Sequence, residues 1–164
     1  MNKIIGVFCL CLSGAFVASD ATAYGLTRGL DAVVNACFEI SSKLNSGIDT
    51  LALVYSNRNV AIAEVDYHCD QIRTEAHKYI DLVNYFAYGL RIGKLNESEV
   101  IDGLVDIDPQ LNENISGHFG KIRTQLLNAR FPRTVIDEFR RAENIFTEAN
   151  DCLGSFLERR IPHE

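Results

Sequence analysis

Apolar residues recur along this chain in steps of three and four, the period of an amphipathic helix, and they do not alternate as in a half-buried strand. Leu26, Leu30, Val33, Cys37, Ile40, Leu44, Ile48, Leu51 and Tyr55 form one stripe that lasts about eight turns, with Gly29 and Gly47 as weak points. The polar string Ser56-Asn57-Arg58-Asn59 is the first expected turn. A second stripe runs through Ile62, Val65, Cys69, Ile72, Ala76, Ile80, Val83, Ala87 and Leu90 and stops near Gly93.

Asn96 with Glu99 three residues later reads as a capping box. It opens a short apolar piece, Val100, Ile101 and Leu104, that is expected to end near Asp108-Pro109 as a lid or connector. Leu111, Ile115, Phe119, Ile122, Leu126 and Ala129 make the next stripe, stopped by Phe131-Pro132. Val135, Phe139, Ala142, Phe146, Ala149, Leu153 and Phe156 then step by 4 and 3 in a strict heptad, the pattern of knobs-into-holes packing. The expected fold is all-α: an up-and-down bundle of four long amphipathic helices with one short connecting helix.

Residues 1–23 read as an export leader. Lys3 precedes the apolar run Ile4 to Val17, and Ala21-Thr22-Ala23 is a small-x-small cleavage site that sets the mature start at Tyr24. Residues 24–164 are then a single secreted, extracellular helical domain, long enough for one core. Losing Lys3 and Asp20 leaves the net charge at −6, and the longest basic runs are the pairs Arg140-Arg141 and Arg159-Arg160. Nucleic acid and, after leader cleavage, membrane are therefore not expected partners.

Known catalytic and metal patterns are missing from the sequence. None of the four histidines, at 68, 77, 118 and 163, lies one turn from another, and there is no Glu-x-x-His, His-Glu-x-x-His, Gly-x-Ser-x-Gly or phosphate-binding glycine loop. Glu64 and His68 are one turn apart, which reads as a surface pair. Asp106-Ile107-Asp108 starts like a calcium loop, but Leu111 and Gly117 occupy the positions that need Gly and Glu. No enzyme activity, cofactor or metal is expected. Two sequons, Asn96-Glu97-Ser98 and Asn114-Ile115-Ser116, are glycosylation candidates in an exported chain, with Asn96 favoured by its loop position.

The densest aromatic stretch is Tyr79, Leu82, Tyr85, Phe86 and Tyr88. It has two readings: a patch for an apolar ligand or partner, or core covered by Val100 to Leu104. Three cysteines remain after the leader, so one lacks an internal partner. A turn near residue 57 puts Cys37 about 12 Å in height from Cys69 at 1.5 Å per residue, and brings Cys152 level with Cys37. That favours a Cys37–Cys152 disulfide, with Cys69 a free thiol, buried or available for a dimer. A turn at residue 53 would instead level Cys37 with Cys69.

Cys37-Phe38 opening a long helical stretch, followed by Asp66-Tyr67-His68-Cys69, resembles the insect TsetseEP-domain family of small secreted proteins over roughly residues 30 to 90. The resemblance implies an extracellular helical protein, carries over no catalytic residues, and leans toward a Cys37–Cys69 pairing. The expectation is a secreted, non-enzymatic helical interaction protein that engages an extracellular protein. The alternative is a carrier of a lipid or other apolar small molecule.

Overall fold

The computed structural model describes residues 21–158. It consists of α1 (Ala21–Val54), a single 3-10 turn (Ser56–Arg58), α2 (Asn59–Arg91), α3 (Glu97–Asn128) and α4 (Arg133–Glu158). The fold is all-helical among the described residues, and the four helices pack against one another: α1 on α2 and α4, α3 on α2 and α4. Residues 1–20 of the expected leader lie outside the described residues, and 21–23 belong to the backbone of α1. No described helix is long and apolar enough to cross a membrane.

The ends of α1 and α2 and the start of α3 have local causes. The polar run after Tyr55 turns the chain where the sequence predicts it, with the Tyr55 N–H still donating to the Leu51 carbonyl and the Arg58 N–H to that of Tyr55. Gly93 ends α2 in the left-handed region (φ 66°), and the Gly93 and Lys94 amides donate back to the Leu90 and Gly89 carbonyls, a Schellman closure that needs a residue without Cβ. The Asn96 side chain accepts from the Glu99 amide at 3.0 Å while the Glu99 carboxylate accepts from the Asn96 amide at 2.7 Å. This capping box is worth about 1 kcal/mol.

The separate connector expected at Val100–Leu104 does not exist, because it forms the first turns of α3, which runs unbroken through Pro109. The reason is phase: Val100, Leu104, Asp108, Leu111 and Ile115 are all buried on one stripe, and only the polar character of Asp108 hides that continuity. Pro109 removes one helical donor, and the packing on either side of it holds the helix together.

The core is one cluster drawn from all four helices. α1 and α4 approach closely at two glycines, where a Cβ on Gly29 would lie 3.1 Å from Leu153 Cδ1 and one on Gly47 3.0 Å from Phe139 Cζ. At the centre the Tyr79 ring is fully buried, edge-on to Phe146, and its hydroxyl is 3.3 Å from Oδ1 of buried Asn150. That contact satisfies a phenol that would otherwise cost free energy to bury.

Candidate functional site

The bundle presents its most unusual surface where the turn after α1 meets the turn after α3. Tyr55 and Phe131 meet edge to face at 5.1 Å, and the Arg58 guanidinium lies over both rings, 5.5 and 4.7 Å from their centroids. Arg58 also donates from Nη1 to the Arg130 carbonyl at 3.0 Å. Arg130 is held in the left-handed region at φ 56°, a conformation that disfavours a residue with Cβ. The stacked guanidinium clamps the two turns together and fixes this end.

Around the clamp stand large apolar side chains with nothing over them: Leu53 is 83% exposed, Val60 78%, Val54 63% and Leu127 57%. Segments 50–63 and 124–136, which build this end, carry Arg58, Arg130 and Arg133 and no acidic residue, on a chain of net charge −6. Asp49 and Glu64 stand one turn from Leu53 and Val60, so the arginines belong to the turns themselves and the rim carries both signs of charge. An exposed apolar group of this kind is the composition of an interaction surface. Sequence reading missed it because Leu53, Val54 and Val60 fall off the core stripe as isolated residues. The meeting of the two turns through Arg58, Arg130 and Phe131 brings the helix ends that carry these residues and Leu127 to one end of the bundle.

A second cluster links α2 to α3. Nδ1 of His68 lies 3.0 Å from Nδ1 of His118, with ring centroids 5.2 Å apart, and the Tyr67 ring packs edge-on to His68. Burial and Lys121 lower the His68 pKa against the pull of Glu64. Burial, His68 and Lys121 lower that of His118, with Glu75 opposing. The sequence pairs His68 with Glu64 one turn away and gives no hint of a partner fifty residues on.

The aromatic stretch on α2 divides instead of forming one patch. Tyr79 and Phe86 are core, Leu82 is half-buried, and Tyr85 and Tyr88 point to solvent, Tyr88 beneath the Arg91 guanidinium at 5.3 Å. Phe86 lies against Gly103 of α3, whose added Cβ would meet Phe86 Cζ at 2.8 Å, so the first turns of α3 cover this ring.

All three described cysteines are free thiols, Cys37 and Cys69 buried and Cys152 exposed. The Cys37–Cys152 disulfide expected from equal heights is not formed. Height was the wrong criterion: Cys152 precedes the core residue Leu153 by one position, about 100° round the helix, and so faces out. Burial pushes both the Cys37 and Cys69 thiols up to about 12, so neither supplies thiolate at neutral pH. Among the three described cysteines, a maleimide is therefore expected to label Cys152 alone in the native protein, and Cys37 and Cys69 as well after denaturation. Native labelling of Cys37 would contradict this packing.

Asn96 and Asn114 are both exposed. The Asn96 cap uses Oδ1, whereas Nδ2 of Asn114 donates to Glu75 Oε2 at 3.5 Å. Arg140 and Arg141 pair with Asp137 and Glu138 on the outer face of α4, as a solvated basic pair does. Among the described residues, no group of three or more His, Cys, Asp or Glu could hold a metal ion. No family model, curated protein or solved structure matches this chain.

Proposed function

We propose that this chain is a secreted, non-enzymatic helical interaction protein that docks an extracellular protein onto the end built by Arg58 and Phe131. The observation that carries this reading is the exposure of Leu53, Val54, Val60 and Leu127 beside turns that carry Arg58, Arg130 and Arg133. The fitting partner surface is an apolar recess with acidic residues facing those arginines, since complementary charge steers and orients such an encounter. Secretion rests on the leader at 1–23 and its cleavage before Tyr24. Membership of the insect TsetseEP-domain family, resting on Cys37-Phe38 and Asp66-Tyr67-His68-Cys69, belongs to the same proposal. So does N-glycosylation at Asn96, whose Nδ2 is not used by the cap.

The proposed architecture is up-and-down. It is supported by partner numbers that fall on one helix as they rise on the next: His68 with His118, Glu75 with Asn114 and Phe86 with Gly103, then Gly29 with Leu153 and Gly47 with Phe139.

The test uses extracellular fluid of the source organism and the immobilised full chain. A protein retained by the wild type is expected to be lost from Leu53→Asp/Val60→Asp and from Arg130→Glu/Arg133→Glu, and kept by Tyr85→Asp/Tyr88→Asp, which alters the other exposed apolar group. With the purified partner, each end variant should weaken binding by about tenfold or more, the size of a hot-spot loss. Equal binding by both end variants would reject this surface.

A second reading, a carrier of apolar small molecules, is favoured by a groove of about 350 Å³ between α1 and α4, whose floor is Leu44, Leu51, Phe139 and Ala142 and whose lining also includes Lys43, Ser46, Thr50 and Glu138. It sits at the low end of ligand-pocket sizes. A retained adduct in native mass spectrometry, lost in Ala142→Phe, would support the carrier.

A further inference from the structure

The rings of His68 and His118 face each other head-on, Nδ1 to Nδ1 at 3.0 Å, with centroids 5.2 Å apart. This is a hydrogen bond only while one of the two nitrogens lacks a proton, since a neutral imidazole has one N–H and one lone pair whereas an imidazolium has two N–H groups. In the neutral pair one Nδ1–H donates to the other Nδ1. After uptake of one proton, the imidazolium Nδ1–H donates to the remaining lone pair in a charge-assisted bond. A second proton leaves no acceptor between the rings and sets two positive charges in contact, an arrangement that like charges at such separations do not sustain.

The pair spans two helices whose contact is otherwise apolar at this height. His68 on α2 directly precedes fully buried Cys69, and His118 on α3 directly precedes buried Phe119. Val65 and Ile72 on α2 and Ile115 and Ile122 on α3 are buried one turn to either side. The next polar link between these helices, Asn114 Nδ2 to Glu75 Oε2, is longer at 3.5 Å. Gly117 and Gly120 beside His118 leave an open recess, so a ring repelled by its partner has room to depart, and its departure breaks the cross-helix bond.

Charged groups on the neighbouring helices set the balance. From α2, Glu64 favours the protonated form of His68 and Glu75 that of His118, but Glu75 is itself bound by Lys78 at 2.6 Å. From α3, Lys121 opposes protonation of both rings. Arg123 lines the same recess and is paired with Glu143 of α4 at 3.0 Å. Among the described residues, no charged group of α1 shifts either ring. Burial is the largest influence and, with Lys121, holds both rings below the ordinary 6.5. The folded pair therefore binds its protons more weakly than two unfolded histidines do. Its contribution to stability is full above about pH 6.5 and is lost as the pH falls.

We propose that His68 and His118 form an acid-released latch between α2 and α3, closed while the pair holds at most one added proton and opened by the second.

The test is chemical denaturation of the full chain at about pH 7.5 and about pH 5, comparing the wild type with His118→Gln and His77→Gln. Glutamine offers an acceptor that does not titrate, so protonated His68 still has a group to donate to. Between the two pH values the unfolding constant of the wild type should rise relative to that of His118→Gln by about tenfold, the change that one linked proton produces over one pH unit. His77→Gln should follow the wild type. Asp108, which titrates in the opposite direction, is common to all three proteins and cancels from the comparison. An equal pH response in the wild type and His118→Gln would overturn the latch. Should His118→Gln fail to fold, histidine resonances of the wild type decide. His68 and His118 should titrate together in two coupled steps, the second below the ordinary 6.5. Independent single-step curves for the two rings would show that they share no proton and would sink the proposal.

Discussion

Phe86→Ala is expected to destabilise the protein by about 3–5 kcal/mol, whereas Tyr85→Ala beside it changes stability by less than about 0.5 kcal/mol. The two aromatics are neighbours in sequence, but Phe86 is buried against Gly103 and Tyr85 is 62% exposed. Truncating Phe86 removes its transfer free energy and leaves a cavity that two rigid helices cannot close. The same geometry predicts a coupling. Gly103→Ala alone forces its Cβ to within 2.8 Å of the Phe86 ring. In the Phe86→Ala background that Cβ enters the vacated space and gains the roughly 1 kcal/mol of helix propensity that alanine holds over glycine. Chemical denaturation of the four proteins of this cycle measures both effects. Additive costs, or a small loss for Phe86→Ala accompanied by failure to bind an apolar probe, would mean that the ring serves a ligand and not the core.

Asp108→Asn is expected to stabilise the protein at pH 8 by about 2 kcal/mol, a gain that fades to nothing by about pH 3. Asp108 is buried on the core stripe of α3, its Oδ1 has no hydrogen-bond partner, and burial pushes its pKa from 3.8 up to about 6. Below about pH 3 the folded and unfolded chains both carry the proton, so the carboxyl exerts no pH-dependent cost. Between pH 4 and 6 the unfolded chain releases that proton while the folded chain retains it, and stability falls as pH rises. Above pH 6 the cost is constant. At about 1.4 kcal/mol per pH unit, the interval from 3.8 to 6 bounds the effect at about 3 kcal/mol. Asn keeps the size of the side chain and removes its ionisation, so the difference between the two proteins isolates this residue. Equal stabilities at pH 8, or a difference that does not change from pH 4 to 7, would show that Asp108 is solvated in the folded chain.

Most of the helical framework was legible in the sequence because its signals are local. The stripes of α1 and α4 are repeated period-3.6 patterns, the Asn96–Glu99 box reports a helix start through two hydrogen bonds three residues apart, and Gly93 and Pro132 mark stops through the backbone of a single residue. Where the reading failed, a polar residue served a tertiary purpose. Asp108 and Asn150 occupy core positions, and reading Asp108-Pro109 as a break split α3 in two.

Height along the helices, which follows from counting 1.5 Å per residue, was available for the cysteines; their angular positions were decisive, and a rotation of one residue carries Cys152 from the seam to the surface. Tertiary structure alone decided every feature that joins distant segments. Arg58 clamps Phe131, His118 meets His68, Gly103 receives Phe86, and Leu127 joins Leu53 and Val60 at one end. The amino-acid sequence by itself determined the apolar stripe of each helix, since a stripe follows from periodicity and propensity within a few turns, but not the burial of Asp108 and Asn150 or the continuity of α3 through Pro109. Which faces meet, and which side chains remain outside once they have met, depends on the packing of four helices at once, a long-range choice that no single stretch of the chain encodes.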